Sequence, residues 1–144
     1  MRAYADTGFI VTLYKEEATS TRAAALMARL ATTVHLSQLG ELEVRNALHL
    51  AVFRGELSAA DAALKKRTFL GDVANGIFSI TPVPASELFP KSCQLADRHS
   101  SRLGTRSLDL LHVAAALLLK ADTFLSFDER QRKAAKLEGL KVKP

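Results

Sequence analysis

The sequence predicts an α/β domain in which a parallel sheet carries helices on both faces. Short apolar runs rich in aromatic or β-branched residues alternate with longer segments rich in alanine and leucine. That alternation favours parallel strands joined by helical crossovers. The chain has 144 residues, 48% of them hydrophobic, enough to fill one compact core. One domain over residues 1–144 is expected, since no repeat, low-complexity tract or linker divides it.

The elements follow in order. Arg2 to Ala5 reads as a strand that passes through Asp6-Thr7-Gly8 into a short helix ending near Leu13. Thr19 to Leu30 is a helix behind a Thr-Ser-Thr cluster able to cap it. Thr33 to Ser37 is a strand, and Leu39 to Arg54 a helix stopped at Gly55. Ser58-Ala59-Ala60-Asp61 resembles a capping box, with Asp for the usual Glu, and opens a helix to about Asn75. Phe78 to Val83 is a strand ended by Pro82 and Pro84. Ser86 to Arg102 and Ser107 to Lys120 are helices, the second apolar nearly all round and therefore buried. Thr123 to Phe127 is a strand, Asp128 to Leu137 a helix, and Leu140 to Val142 a last strand.

Composition narrows the function classes. The longest uninterrupted apolar run, Val113 to Leu119, falls far short of a membrane span. The start lacks the basic, apolar and small-residue regions of a signal peptide. Cys93 stands alone, so no internal disulfide forms and a reducing, cytoplasmic setting is expected. No Cys/His cluster suits zinc, no HExxH occurs, and neither a G-x-S-x-G nor a glycine-rich phosphate loop is present. Net charge is +5, compatible with a polyanionic partner. Six of the basic residues fall between Arg130 and Lys143 against one acid, Glu138, although a solvated helix face and tail explain that run as well.

The acids carry the chemistry. Asp6 and Asp128 sit at predicted strand ends, where ligands bind in open α/β sheets. Each is also a plausible helix N-cap. Glu43 lies on the flank of its helix with Ala47, Leu50 and Ala51, whereas Glu41 has Arg45 four residues on and reads as a solvated ion pair. Two residues along a helix is about 200° of rotation, so Glu41 and Glu43 cannot share a face. Asp109 opens the buried helix, with His112 as a local partner. None of these acids has an evident basic partner on its own helix face. Converging carboxylates repel one another and want a cation, which points to a divalent-metal site acting on phosphate.

Tyr4-Ala5-Asp6-Thr7-Gly8, Leu42-Glu43-Val44-Arg45-Asn46-Ala47-Leu48, the stretch Ser107 to Ala116 (SLDLLHVAAA) and Leu125-Ser126-Phe127-Asp128-Glu129-Arg130-Gln131 together resemble the PIN-domain family over essentially the whole chain. They are most similar to its VapC-type members, toxins of prokaryotic toxin–antitoxin pairs. The resemblance implies a three-layer sandwich around a parallel sheet. It implies Mg²⁺- or Mn²⁺-dependent hydrolysis of RNA, leaving a 5′-phosphate and a 3′-hydroxyl. Carried over, Asp6, Glu43, Asp109 and Asp128 are the metal-binding and catalytic acids, and Ser126 matches the Ser or Thr often found two residues before the last acid. A VapB-like antitoxin that masks the acids and a homodimer are implied as well. Phe9 to Tyr14 and Ala23 to Leu30 are candidate dimer surfaces, and core packing explains them equally. Ser126, Arg106 and Arg130 are candidates for binding the substrate, with Arg106, Arg130 and Lys133 holding the RNA backbone.

Two readings compete. A PIN-like module that binds RNA or protein without cutting would share the fold, and the full set of acids argues against it. A phosphatase or receiver-like domain using Asp6 as phosphoryl acceptor would want an acid at position 8 or paired acids before Asp6. Position 8 is glycine, and positions 4 and 5 are tyrosine and alanine.

Overall fold

The computed structural model describes all residues, Met1–Pro144. Its sheet has five parallel strands: β1 (Ala3–Ala5), β2 (Val34–Leu36), β3 (Phe78–Ile80), β4 (Thr123–Leu125) and β5 (Lys141–Lys143), in the order β3-β2-β1-β4-β5. The helices are α1 (Thr7–Val11), α2 (Ser20–Arg29), α3 (Gln38–Phe53), α4 (Ala59–Ala74), α5 (Ala85–Leu95), α6 (Ser101–Leu103), α7 (Ser107–Leu118) and α8 (Glu129–Leu137). No helix is long and apolar enough to cross a membrane.

The pleat sorts side chains between two apolar layers. Tyr4 and Phe124 face one layer, with Leu88, Leu95, Val113 and Ala134 from α5, α7 and α8. Their chain neighbours Ala3, Ala5 and Leu125 face the other, with Phe9, Val44 and Phe69 from α1, α3 and α4. Alternation within three-residue strands thus builds both halves of the sandwich. α3 approaches β2 so closely that a Cβ at Gly40 would lie 3.3 Å from the Leu36 side chain.

The expected elements are present, with shorter strands. β3 ends before Pro82, and β4 ends at Leu125, where the chain turns away to form the site described below. The single helix expected over Ser86–Arg102 is α5, a π-helical turn at Ala96–Ser100, and α6. That wide turn is held against the end of α8. Arg98 Nη1 lies 2.6 and 2.9 Å from the two Glu138 carboxylate oxygens, and His99 Nε2 lies 3.1 Å from one of them. Thr19 precedes α2 without making a side-chain cap bond, so the expected Thr-Ser-Thr cap is not formed by that residue. Ser58 does cap α4, accepting from the Asp61 N–H at 3.0 Å. In α1, Phe9, Ile10 and Val11 are buried, so this segment serves the core rather than a dimer surface.

Strand order reverses between β1 and β4, which are neighbours although the chain leaves them in opposite directions. At such a switch point the loops beyond the strand ends diverge and leave a crevice. Asp6 and Ser126 directly follow those two strands.

Candidate active site

Asp6 is fixed by the register of β1 against β4: its N–H bonds the Leu125 carbonyl at 3.1 Å. One side-chain oxygen, Oδ1, accepts the Phe9 N–H at 2.8 Å and caps α1. The other, Oδ2, accepts the Ser126 hydroxyl at 2.5 Å. Ser126 Oγ in turn accepts the Asp128 N–H at 3.0 Å, and Asp128 Oδ1 caps α8 through the Gln131 N–H at 2.9 Å. A continuous chain of bonds therefore runs from the end of β1 to the start of α8. Capping and cleft-lining coincide in Asp6 and Asp128.

Glu43 enters from α3. Its Oε1 accepts the Thr7 hydroxyl at 2.9 Å and lies 2.6 Å from His112 Nε2. A carboxylate oxygen only accepts, so Nε2 carries the hydrogen. His112 comes from α7, is 2% exposed, and meets the Tyr4 hydroxyl through Nδ1 at 2.9 Å. Tyr4 OH also reaches Ser37 Oγ at 3.2 Å. Burial pushes the Tyr4 phenol well above its ordinary range, so it stays a donor.

Asp109 is 2% exposed at the start of α7. Its Oδ2 accepts the Arg106 N–H at 2.9 Å and Arg106 Nε at 3.3 Å, and its Oδ1 accepts Gln131 Nε2 at 3.1 Å. Arg106 Nη2 lies 3.8 Å from Asp128 Oδ2, so one guanidinium spans two acids. The Arg106 side chain is 66% exposed and stands on the rim of the site, not inside the molecule.

These groups line one cleft of about 570 Å³ that holds Asp6, Thr7, Glu43, Arg106, Asp109, His112, Asp128 and Gln131. Four carboxylates face one guanidinium there. Burial pushes the Asp6 carboxyl up; the Ser126 and Phe9 hydrogen bonds and the charge of His112 pull it back, and the charge of Asp128 adds to the rise. Burial also pushes Glu43 up, but the hydrogen bond and charge of His112, with the Thr7 hydroxyl, leave it below the usual range. The donor set suits a hard divalent ion, being anionic oxygens with no thiolate among them. No three His, Asp or Glu side chains stand close enough to enclose an ion by themselves. Such an ion would be held by one or two carboxylates at a time and keep several waters. A slightly larger hollow lined by Lys15, Glu16, Glu56, Asp61 and Lys65 mixes three acids with two lysines, and Lys15 is paired to Glu56.

The structure brings together all of the acids singled out in the sequence and leaves Glu41 aside, paired with Arg45 at 3.1 Å. Other expectations are corrected. Asp109 has a basic neighbour on its own helix face, Arg106, three residues before it. His112 pairs with Glu43 rather than Asp109, because the α7 backbone turns its ring toward β1 and α3. Ser126 is completely buried and acts on Asp6, so it does not present a hydroxyl to a substrate. Arg130 is exposed outside the cleft lining, with Nε near Gly104. Sequence reasoning missed the site roles of Thr7, Tyr4 and Gln131 and gave His112 the wrong partner. For His112 a signal was available: a histidine in an otherwise apolar buried helix needs polar partners on both ring nitrogens.

The same arrangement of elements occurs in solved structures of low sequence identity. VapC20 of Mycobacterium tuberculosis, described as a sarcin-ricin loop cleaving toxin, superposes with a TM-score of 0.71 at 19% identity, covering 99% of both chains. VapBC2 from Rickettsia felis, bound to a fragment of promoter DNA, matches with a TM-score of 0.69 at 16% identity over 99% of this chain and 98% of the other. FitAcB from Neisseria gonorrhoeae matches at 0.67 and 19% identity over 99% and 96%. No curated protein matches the chain by sequence. The profile of the PIN domain matches residues 3–137, a span within which the acids of the cleft fall, and the chain belongs to that family.

Proposed function

We propose that the protein is a metal-dependent endoribonuclease of the VapC-like toxin class, restrained by a VapB-like antitoxin. The observation that carries the reading is the convergence of Asp6, Glu43, Asp109 and Asp128, from four separate segments, on one cleft with a single guanidinium against them. The structural likeness to VapC20 and to toxin–antitoxin complexes supports the same class.

Asp6, Glu43, Asp109 and Asp128 would hold Mg²⁺ or Mn²⁺. Bound there, such an ion lowers the pKa of a coordinated water toward neutrality and offsets charge on the scissile phosphate. The chain's own residues do the rest. Ser126 and the Phe9 amide fix both oxygens of Asp6. Thr7 and His112 both bond Glu43 Oε1, and neither bonds Oε2, which leaves that oxygen for the cleft. Arg106, bridging Asp109 and Asp128 on the rim, is positioned to meet an RNA phosphate. A free nuclease of this kind damages its own cell, so an antitoxin segment entering the cleft belongs to the proposal, as do the homodimer and the cytoplasmic setting.

Purified protein should cleave RNA with Mn²⁺ or Mg²⁺, stop cleaving in EDTA, and lose the activity in Asp6→Asn. Tight Mn²⁺ binding with no cleavage of any RNA tried would instead favour a module that binds without cutting.

A further inference from the structure

Gln131 is the third residue of α8, and its N–H closes the cap on Asp128 Oδ1. The cap sets the first helical turn, and the residue, 8% exposed, lies in the lining of the cleft. Its Nε2 donates to Asp109 Oδ1 at 3.1 Å. Its Oε1 is sealed from bulk solvent and meets no donor, the one buried side-chain nitrogen or oxygen of the chain without a partner. Reversing the amide does not remove the difficulty: it would set the amide oxygen against Asp109 Oδ1, acceptor to acceptor. The Asp109 carboxylate therefore dictates which way the amide points.

A buried acceptor without a donor costs stability, and an apolar side chain of similar volume would avoid that cost. The oxygen stands beside Asp109 and is tied through the same residue to Asp128. Resting on the metal-site reading above, we propose that Gln131 Oε1 accepts a hydrogen bond from a water in the hydration shell of a divalent cation held by Asp109 and Asp128. Mg²⁺ and Mn²⁺ dehydrate reluctantly, and ion-bound waters are strong donors that need acceptors. An amide oxygen accepts without adding a fifth negative charge to the cleft. Its other end donates to the carboxylate that a fifth acid would repel. Gln131 is thus a positioning residue that joins the protein's hydrogen bonds to those of the ion's shell.

The test uses the full chain, titrated with Mn²⁺ and followed by the electron-spin signal of the free ion. Gln131→Met removes the oxygen and should weaken Mn²⁺ binding by about tenfold or more, the usual effect of losing an outer partner. Gln131→Glu restores an oxygen at the same place and should bind at least as tightly as wild type, despite losing the donor to Asp109. Weakening in both variants, worse in Glu, would mean that Gln131 acts only through Asp109 and would overturn the proposal. Wild-type affinity in Gln131→Met would overturn it too. Water-proton relaxation of the Mn²⁺ complex gives a second readout if the added charge prevents folding of the Glu variant. Water exchange should be faster in Gln131→Met, and an unchanged rate overturns the proposal. If wild type binds no Mn²⁺, the metal-site reading itself has failed; if only the variant pattern fails, that reading stands without this addition.

Discussion

Asp6→Asn separates the needs of folding from those of the site. Asp6 is 2% exposed, and its partners are a hydroxyl and an amide, with no basic side chain bonded to it. An ionised carboxylate so placed costs several kcal/mol in lost hydration, only partly recovered by hydrogen bonds. In the Asn variant the carbonyl still accepts the Phe9 N–H, and the amide NH₂ can donate to Ser126 Oγ. Exchanging a charge-assisted bond for a neutral one loses about 1 kcal/mol. Relief of the buried charge and of its repulsion from Asp128, less the lost attraction of His112, still more than covers that loss, and we expect a net gain of about 1 kcal/mol at pH 7. For 144 residues the unfolding entropy is about 0.3 kcal/mol per degree, so the variant should melt about 3 °C higher in EDTA. Mn²⁺ at about 100 times its Kd should add about 2.7 kcal/mol, or about 9 °C, to wild type and far less to the variant, reversing the order. The EDTA gap should also depend on pH. A carboxyl whose folded pKa is raised contributes stability that is present below its unfolded value, 3.8, and lost as pH rises through the folded value. The gap should therefore close on acidification. Circular dichroism melts with and without Mn²⁺ read every term. A variant that melts below wild type in EDTA, or that gains as much from Mn²⁺, would refute the account of Asp6.

Glu43→Gln should weaken Mn²⁺ binding by about tenfold or more, while Glu41→Gln changes it by less than about twofold; calorimetric titration checks both, and equal effects would mean that the wrong helix face lines the site. Glu43 also sets part of the acid limb of stability. Its folded pKa lies below the ordinary 4.5, so its contribution is present above 4.5 and lost as pH falls through the folded value, and Glu43→Gln should flatten that limb in urea melts. Arg106→Gln removes the cation facing Asp109 and Asp128; Mn²⁺ binding should tighten by about two- to fivefold, while RNA binding weakens and its salt slope falls by about one. Fluorescence anisotropy at several salt concentrations measures the second effect.

What could be read from the chain was whatever repeats or punctuates. Helix periods, the Ser58 cap, Gly55 and the prolines after β3 are local signals, and the elements follow them. The separation of Glu41 from Glu43 was also accessible, because helical rotation alone sends them to different faces. The partners of each acid were not, because they depend on distances across the sheet. Thr7, Glu43 and His112 meet although 36 and 69 residues separate successive members, and no spacing rule reaches that far. The role of Ser126 likewise depends on β4 lying beside β1, which strand order alone decides. Arg106 pairs with Asp109 from the N-cap of α7, just outside the helical residues, where the spacing rule for pairs along a helix does not reach.

The acids of the cleft are not equivalent, and the difference is a matter of which positive or donor group each one has. Glu43 has His112 and Thr7, and its carboxyl is held below the ordinary range. Asp109 and Asp128 share Arg106 on one side and Gln131 on the other. Asp6, the most central to the bond chain between β1 and α8, is bonded only by a hydroxyl and a backbone amide, and burial pushes its carboxyl upward in spite of those bonds and of the charge of His112. Of the four, it is the one with no basic side chain within ion-pair distance. A cation held by Asp109 and Asp128 in the same cleft would therefore also offset the charge of Asp6 and relieve its repulsion from Asp128. The fold, by ending β1 and β4 side by side, makes that unbalanced charge unavoidable, and a divalent ion is the simplest group that balances it.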